Sequence, residues 1–161
     1  MGNLFLFHPL MAIKQLEQSL AIRETLQEKE AIKIIADEIG HLYRGRERYK
    51  EALVYFKKAD NYVEKPENEK KILQSMLICH YNLKQYEEAL KIINELIQLE
   101  PTNAGFHNQK GFVLSKMKKH QAAVQAFSQA AKSGEISYNF NRAWSYVKLK
   151  DYPKAIADYD T

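Results

Sequence analysis

The stretch YKEALVYFKKA, residues 49–59, decides the fold because it recurs three more times along a chain of 161 residues. Its later copies are YEEALKII at 86–93, HQAAVQAFSQA at 120–130 and YPKAIADY at 152–159. The aligned alanines of the four copies lie 37, 34 and 32 residues apart, at Ala52, Ala89, Ala123 and Ala155. A period of about 34 residues indicates one small unit copied along the chain, and such arrays are typical of binding proteins rather than of enzymes.

Helices explain this spacing. In the first copy, Tyr49, Ala52 and Phe56 lie at i, i+3 and i+7, which places all three on one stripe of an α-helix. The alanine lets a neighbouring helix approach closely, and the large apolar residue fills the space beside it. A second amphipathic segment precedes each copy, at residues 32–43, 71–83, 106–117 and 136–149. Each unit is therefore predicted to be a pair of helices.

The residues that set this pattern resemble the tetratricopeptide repeat. Four units begin at Lys33, Lys70, Ala104 and Ile136. The family's small residue at position 8 is matched by Gly40, Gly111 and Ala143, its aromatic residue at position 11 by Tyr43 and Tyr146, and its closing proline by Pro101. The departures from the family pattern are Ala36, Leu77, His107, Lys110, Asn139 and Arg142. The resemblance implies an all-α fold, an α-solenoid of antiparallel helix pairs that winds into a right-handed superhelix.

The same resemblance implies a single tetratricopeptide array over residues 10–161, behind an apolar tail at residues 1–9. The array is divided into an orphan helix at 10–29, units at 33–66, 70–103 and 104–135, and a partial unit at 136–161. No polar capping helix, of the kind that closes a solenoid, follows the last unit. We therefore expect either that the chain is a fragment of a longer protein or that its end packs on another molecule.

Composition excludes several classes of protein. Hydrophobic residues make up 45% of the chain, which is enough for one stable domain without cross-links. The single cysteine, Cys79, excludes an internal disulfide framework and favours a reducing compartment, so the predicted location is the cytoplasm. No stretch approaches the roughly 20 apolar residues that a membrane span needs, and the apolar run at residues 4–7 is too short for a signal peptide.

Residues that could support catalysis or bind a metal form no recognisable site in the sequence. His80, His107 and His120 stand where the repeat has packing residues. Next to His80, Cys79 has no second cysteine or histidine at the spacing of metal ligands. No phosphate-binding loop or nucleophile elbow occurs. The sequence therefore predicts no catalytic residue, no metal ion and no cofactor.

In tetratricopeptide arrays, the first helices of the units line a concave groove. The resemblance implies that a partner is bound there by Gln74, Ile78, Tyr81, Asn108, Gln109, Phe112, Phe140, Asn141, Trp144 and Lys148. Trp144 is the only tryptophan, and Phe140 lies four residues earlier on the same helix face. Large aromatic side chains are typical anchors for a partner. The alternative is that Trp144 covers the end of the hydrophobic core or receives the apolar N-terminal tail of this or another chain.

Asn141 begins a segment, NRAWSYVKLKDY, that resembles one unit of the clamp with which co-chaperones hold chaperone tails. In that clamp an asparagine hydrogen-bonds the peptide, since a side-chain amide can both donate to and accept from an extended backbone. Gln109 stands at the same position of the preceding unit. The full carboxylate clamp is not supported, because Asn108 and Phe112 stand where it has lysine and asparagine. The alternative for Asn141 is an exposed side chain with no task.

These observations predict a non-catalytic adaptor that holds a peptide segment or a helix of a partner protein in its groove. One alternative is a structural scaffold that assembles with itself through its C-terminal helix and the apolar segment at residues 4–10. Another is a nucleic-acid-binding repeat that uses the basic turn at residues 116–119. A solvated turn explains these lysines more simply, because no arginine or aromatic residue is interleaved with them.

Overall fold

The computed structural model describes the backbone of residues 4–63 and 66–160, and the side chains of residues 11–63 and 69–160. Within these ranges the chain forms nine helices and no strand. The helices are α1 (Leu4–Thr25), α2 (Lys29–Arg44), α3 (Tyr49–Asp60), α4 (Pro66–Asn82), α5 (Tyr86–Leu99), α6 (Ala104–Lys116), α7 (His120–Ala131), α8 (Ile136–Lys148) and α9 (Tyr152–Tyr159).

The helices belong to two compact units, of which the first extends to Leu83 and the second begins at Lys84. In the first unit, α1 packs on α2, α2 on α3 and α3 on α4. In the second unit, α5 packs on α6, α6 on α7, α7 on α8 and α8 on α9. Within each unit, each helix thus contacts the next one along the chain. Because short turns join them, consecutive helices of a unit are antiparallel.

The repeated cassettes form the packing surface that the sequence predicts. Their four aligned alanines are all buried, as are the large apolar residues Phe56, Ile93 and Phe127 at i+4 from three of them. The exception is Tyr159 of α9, which is 45% exposed. The predicted helical stripe is therefore confirmed in the first three cassettes, and its small residue is buried in all four.

Two glycines mark the closest approach between paired helices. A Cβ atom at Gly40 would lie 2.6 Å from a ring carbon of Phe56, and one at Gly111 would lie within 2.6 Å of three ring carbons of Phe127. Real Cβ atoms essentially never come so close to another side chain. The glycine of α2 or α6 is therefore what allows the aromatic ring of the paired helix to lie against the backbone.

The turns that precede α3, α5, α7 and α9 share one backbone conformation. Each contains a left-handed residue with φ between 59° and 61°, at Glu47, Lys84, Lys118 and Lys150. In the turn before α7, the N–H of Lys119 donates to the carbonyl of Leu114 at 2.9 Å, which is the bond that closes a helix in a Schellman motif. Such positions usually hold glycine, but in this chain they hold glutamate or lysine.

Polar side chains hold α1 on its neighbours. Glu17 accepts hydrogen bonds from the hydroxyls of Tyr55, at 2.7 Å, and Tyr43, at 3.2 Å. Lys58 of α3 donates to Glu24 near the end of α1. The helix begins at Leu4, inside the segment predicted as an apolar tail, and ends at Thr25, before the predicted end of the orphan helix. In the part of the chain that was searched, no helix is long and apolar enough to cross a membrane.

Candidate functional site

Seven of the ten predicted groove residues lie on α6 and α8 of the second unit, which together form one candidate surface. Helices α6 and α8 contact each other, and the side chain of Asn141 donates from Nδ2 to Oδ1 of Asn108 at 2.9 Å. This bond joins neighbouring repeats across the surface. We refer to this surface as the α6–α8 face and define it by Asn108, Gln109, Phe112, Phe140, Asn141, Trp144 and Lys148.

Three large aromatic side chains of the α6–α8 face are open to solvent. The exposed fraction is 42% for Phe112 and 46% for both Phe140 and Trp144. The ring of Phe112 packs edge-on against the buried ring of Phe127, with 5.4 Å between the centroids. Phe140 lies 5.9 Å from Tyr159 of α9. These contacts restrain part of each ring and leave the remainder available to a partner.

Trp144 lies between two basic side chains. The ammonium of Lys148 sits 4.9 Å from the centre of the indole, which is within range of a cation–π interaction. On another side the ring of His120, the first residue of α7, makes an edge contact at 6.1 Å. The indole is therefore positioned by α7 and α8 together, although nearly half of its surface is exposed.

The amide pair keeps hydrogen-bonding capacity for a ligand. After the bond between them, Asn141 retains its carbonyl oxygen and Asn108 retains its NH₂ group, so the pair can accept one bond and donate another. Both residues are half-buried. Gln109, one residue beyond Asn108, is exposed. An extended peptide backbone, which alternates donors and acceptors, has the complementary chemistry.

The remaining predicted residues belong to α4 of the first unit. Ile78 is 43% exposed there, whereas Gln74 and Tyr81 are half-buried. The amide of Asn82 donates to the carbonyl of Ile78 at 2.8 Å, in the last turn of the helix.

His120 is a member of this neighbourhood that sequence reasoning treated only as a packing residue. Its Nδ1 atom and the hydroxyl of Ser115 are buried, and neither has a hydrogen-bond partner among the described residues. His120 follows the turn after α6 and contacts Trp144 of the next repeat. His120 is the first residue of α7, the second helix of its unit. This place could have indicated the contact, because the N-terminal end of α7 lies beside α8 of the next repeat.

Hydrogen bonds explain two other residues that differ from the family pattern. His107 stands where the family has a large apolar residue, and its Nε2 lies 2.8 Å from the carbonyl of Pro101 in the turn before α6. Arg142 stands where the family has leucine, and it forms a two-bond ion pair with Asp158 of α9, at 2.8 and 2.6 Å. Both residues therefore stabilise the connections between helices.

The site has a basic character and no groups arranged for metal chemistry. Neither α6 nor α8 contains an aspartate or a glutamate. Among the side chains that were searched, no group of three or more histidines, cysteines and carboxylates could hold a metal ion. The thiol of Cys79 is buried in the first unit, and burial raises its pKa to about 11, so it is almost wholly protonated near neutral pH.

Comparison with known proteins places these features in a family. The family model of the tetratricopeptide repeat matches residues 36–62, 71–103 and 104–133. The chain is 30% identical over 87 residues to the "DnaJ homolog subfamily C member 3 homolog" of Dictyostelium discoideum, a match that covers 50% of this chain and 17% of that protein. It is 32% identical over 88 residues to the "Hsp70-Hsp90 organising protein" of Plasmodium falciparum (isolate 3D7), which covers 49% of this chain and 16% of that protein. The chain thus matches about a sixth of the length of these relatives.

Solved structures show the same fold. A segment of MamA from Desulfovibrio magneticus RS-1 superposes with a TM-score of 0.70 at 16% identity, covering 94% of this chain and 92% of that one. YrrB, a TPR protein with an unusual peptide-binding site, superposes with a TM-score of 0.70 at 21% identity, covering 94% and 78%.

The predicted fold class, an all-α tetratricopeptide array of helix pairs, is confirmed. This fold is typically a non-catalytic protein-interaction module. On the evidence of the matched repeats and the shared fold, the chain belongs to the tetratricopeptide repeat family.

Proposed function

We propose that the chain is a non-catalytic adaptor of the cytoplasm whose α6–α8 face binds a peptide segment or a helix of a partner protein. The observation that carries the proposal is the exposure of Phe112, Phe140 and Trp144 on one surface. Exposed aromatic clusters are typical of interaction sites, and tryptophan is enriched among residues that dominate binding energy.

The exposed rings can supply part of the free energy that a specific complex needs. Covering the open part of each ring would remove on the order of 90 Å² from water, which stabilises a complex by roughly 2 kcal/mol per ring. Three rings together therefore provide roughly 6 kcal/mol, and the loss of translational and rotational freedom offsets much of this sum. Hydrogen bonds and further contacts must supply the remaining free energy of binding.

The Asn108–Asn141 pair would supply such hydrogen bonds. Its free carbonyl oxygen and NH₂ group can pair with the backbone N–H and carbonyl of an extended segment. Gln109 would continue this contact on α6. In this proposal the aromatic rings determine affinity, while the amides fix the direction of the bound chain.

A second contact area is proposed on α4 of the first unit. There Ile78 would contribute apolar surface, and Gln74 and Tyr81 would contribute polar atoms. Replacing Ile78 by a charged residue should weaken the binding of a partner to this area of α4.

Affinity capture from a cell lysate tests the proposal. The wild-type chain is compared with a double variant, Asn141→Ala/Trp144→Ala, and with a control, Val54→Ala, which shortens an exposed apolar side chain on α3. Circular dichroism confirms that all three are folded. We expect a partner protein that is retained by the wild type and the control and is lost with the double variant.

The capture experiment can also contradict the proposal. A partner list that is unchanged by Asn141→Ala/Trp144→Ala contradicts binding at the α6–α8 face. Fluorescence of Trp144 provides a second readout, because burial of a half-exposed indole by a purified partner shifts its emission to shorter wavelength.

Self-assembly is a second candidate function, favoured by one observation on α9. Leu53 and Val124 are buried in their repeats, but Ile156, their counterpart on α9, is 59% exposed, and Tyr152 and Tyr159 are exposed beside it. A second copy of the chain could cover this stripe. Sedimentation across a range of concentrations tests the idea, since a molecular mass that stays at one chain excludes self-assembly.

A further inference from the structure

Lysine occupies the same place in three turns of the chain, each of which joins the two helices of one repeat. Lys84, Lys118 and Lys150 are the left-handed residues before α5, α7 and α9, with φ of 59° to 61°. All three side chains are exposed. Since a left-handed conformation favours glycine or asparagine, the repeated choice of lysine calls for a reason other than backbone geometry.

The chain itself shows that the fold does not require lysine at this place. The equivalent turn before α3 has Glu47, with φ of 59°. A carboxylate is therefore accepted by the same backbone conformation. The backbone of the turn therefore does not require the lysines of the second unit.

The turns before α7 and α9 present their lysines at one end of the second unit. Helices α6 and α8 contact each other and run in the same direction, so both reach these turns at their C-terminal ends. The contact between His120 and Trp144 ties the first turn to the last part of α8. We define the lysine edge as the exposed residues at this end, namely Lys116, Lys118, Lys119, Lys148 and Lys150.

Few acidic side chains neutralise the positive charge of the lysine edge. Between residues 104 and 150 the chain carries eight lysines and arginines and one acidic residue, Glu135. Glu135 lies before α8, at the opposite end of that helix. The carboxylate of Asp151, in the turn before α9, is already paired with Lys154 at 2.6 Å. No carboxylate of the described side chains lies within ion-pair distance of the lysine edge.

We infer that the lysine edge receives an acidic stretch of the partner protein whose apolar side chains occupy the α6–α8 face. This inference rests on the proposed function. The two surfaces are continuous, because Lys148 belongs to the edge and also covers the ring of Trp144. A partner segment would therefore place an apolar or aromatic residue against Trp144 and continue with glutamates or aspartates across the turns.

A protein segment fits this surface better than a nucleic acid does. The turn residues 117–119 and 149–151 include no arginine and no aromatic ring on which a base could stack. Lysines bind carboxylates and phosphates alike as point charges, so the lack of stacking rings in these turns is what disfavours a nucleic acid. The edge therefore adds attraction and speed of encounter, while the α6–α8 face supplies most of the specificity.

Fluorescence anisotropy with three labelled probes tests the inference. The probes are an oligoglutamate peptide, an oligoglutamine peptide of the same length and an oligouridine. They are titrated with the wild type, with the edge variant Lys118→Glu/Lys150→Glu and with a control, Lys132→Glu, which reverses one exposed charge at the other end of α7. The glutamate at Glu47 indicates that the edge variant folds, and circular dichroism checks this.

We expect oligoglutamate to bind the wild type about tenfold more tightly than the edge variant at low salt, and to lose affinity as salt is raised. The control should retain nearly wild-type affinity, and oligoglutamine should not bind. Equal affinity of wild type and edge variant, or an equal loss with Lys132→Glu, overturns the inference. Tighter binding of oligouridine than of oligoglutamate also overturns it and favours a nucleic-acid partner.

Failure of the proposed function gives a different result. The Trp144→Ala variant keeps all five lysines of the lysine edge and releases only Lys148 from its contact with the ring, so its affinity for oligoglutamate should stay near that of the wild type. If lysate capture is unchanged by Asn141→Ala/Trp144→Ala while oligoglutamate still distinguishes the edge variant, the face is wrong as a binding site. If partner capture is lost with Asn141→Ala/Trp144→Ala but not with Lys118→Glu/Lys150→Glu, the α6–α8 face binds the partner and the lysine edge does not.

Discussion

Gly111 is the residue at which the second unit tolerates substitution least. Its missing side chain leaves room for the ring of Phe127, which is buried and cannot turn away. Alanine would raise helix propensity by about 1 kcal/mol relative to glycine. The clash with Phe127 outweighs this gain, because overpacking a tight core typically costs about 1–3 kcal/mol and here the added carbon has no free space.

We therefore expect Gly111→Ala to lower the free energy of unfolding by about 2 kcal/mol, as measured by urea denaturation. Gly45→Ala is the matched control. Its φ of −61° suits any residue, and the nearest atoms to an added Cβ lie at 3.4 Å or more. The control should be neutral or slightly stabilising. Equal effects of the two substitutions would contradict the packing explanation, and partial recovery in Gly111→Ala/Phe127→Leu would support it.

At the scale of helices, one ion pair holds α9 on the second unit. Arg142 of α8 donates two hydrogen bonds to Asp158 of α9 and a third, at 3.3 Å, to Ser128 of α7. The side chains are only 22% and 9% exposed. A helix of eight residues is too short to be stable alone, so this pair and the burial of Ala155 are what keep α9 in place.

Removal of either partner leaves the other charge in a poorly hydrated place. We expect Asp158→Ala and Arg142→Ala each to lower the free energy of unfolding by about 2–3 kcal/mol, and the double variant to cost less than the sum. Chemical denaturation of the four proteins gives the coupling energy. A double variant whose loss equals the sum of the single losses would show that the pair contributes no coupling.

The tyrosine pair that holds α1 makes the first unit sensitive to high pH. Burial and the hydrogen bond to Glu17 raise the pKa of Tyr55, and burial and the charge of Glu17 raise the pKa of Tyr43, both above the usual value of about 10. Each hydroxyl therefore keeps its proton longer in the folded chain than in the unfolded chain. The stabilisation is complete below about pH 10 and is lost as the pH rises toward the folded-state values.

The direction of these pKa shifts predicts how the stability of the Tyr55→Phe variant depends on pH. Near pH 8 the variant should be less stable than the wild type by about 1 kcal/mol, because Glu17 loses a hydrogen-bond donor. Near pH 11 the difference should shrink, since the wild type loses its advantage and the variant has one titrating group fewer. Urea titrations at both values measure this. A stability difference between wild type and variant that grows with pH would contradict the stabilising role of the Tyr55–Glu17 hydrogen bond.

At the scale of the whole molecule, charge is distributed unevenly. The net charge is +4, but the segment from residue 104 to 150 alone carries seven more basic than acidic residues. Like charges repel one another in the folded state more than in the expanded unfolded state. Raising NaCl from about 0.05 to about 0.5 M should screen this repulsion and stabilise the second unit by about 1 kcal/mol.

Trp144 reports on this effect because it is the only tryptophan and lies in the second unit. Urea unfolding followed by its fluorescence should move to higher urea concentration as NaCl is added. The Lys118→Glu/Lys150→Glu variant should show a smaller shift. An unfolding midpoint that does not depend on NaCl in either protein would contradict the repulsion.

Much of this organisation could be predicted from local residue patterns. The segments predicted at 106–117 and 136–149 differ by only one or two residues from α6 and α8, because hydrophobic periodicity is a property of neighbouring residues. The end of α1 lies at Thr25, four residues before the predicted end of the orphan helix at residue 29, because local residue types mark this turn poorly. Gln27 adopts the left-handed conformation there, and no glycine marks the break.

Contacts between distant residues could not be predicted in this way. The bond from Asn141 to Asn108 joins residues 33 positions apart, and no local pattern indicates which amide meets which. Arg142 was noted as a departure from the family, but Asp158 was not identified as its partner. The resemblance placed Phe112 and Trp144 on a surface, whereas the contacts that restrain their rings depend on the packing of α6, α7 and α8.

The shared turn conformation has a consequence for how this protein can change over time. At this turn position the backbone already holds a non-glycine residue in the left-handed conformation, and its side chain is exposed. Exchanging glutamate and lysine there therefore alters charge without disturbing helix packing. A single substitution at one of these turns can therefore change the surface charge of a repeat while its core stays the same. Each such turn is a position where charge can be added or reversed at little cost in stability, one position per repeat.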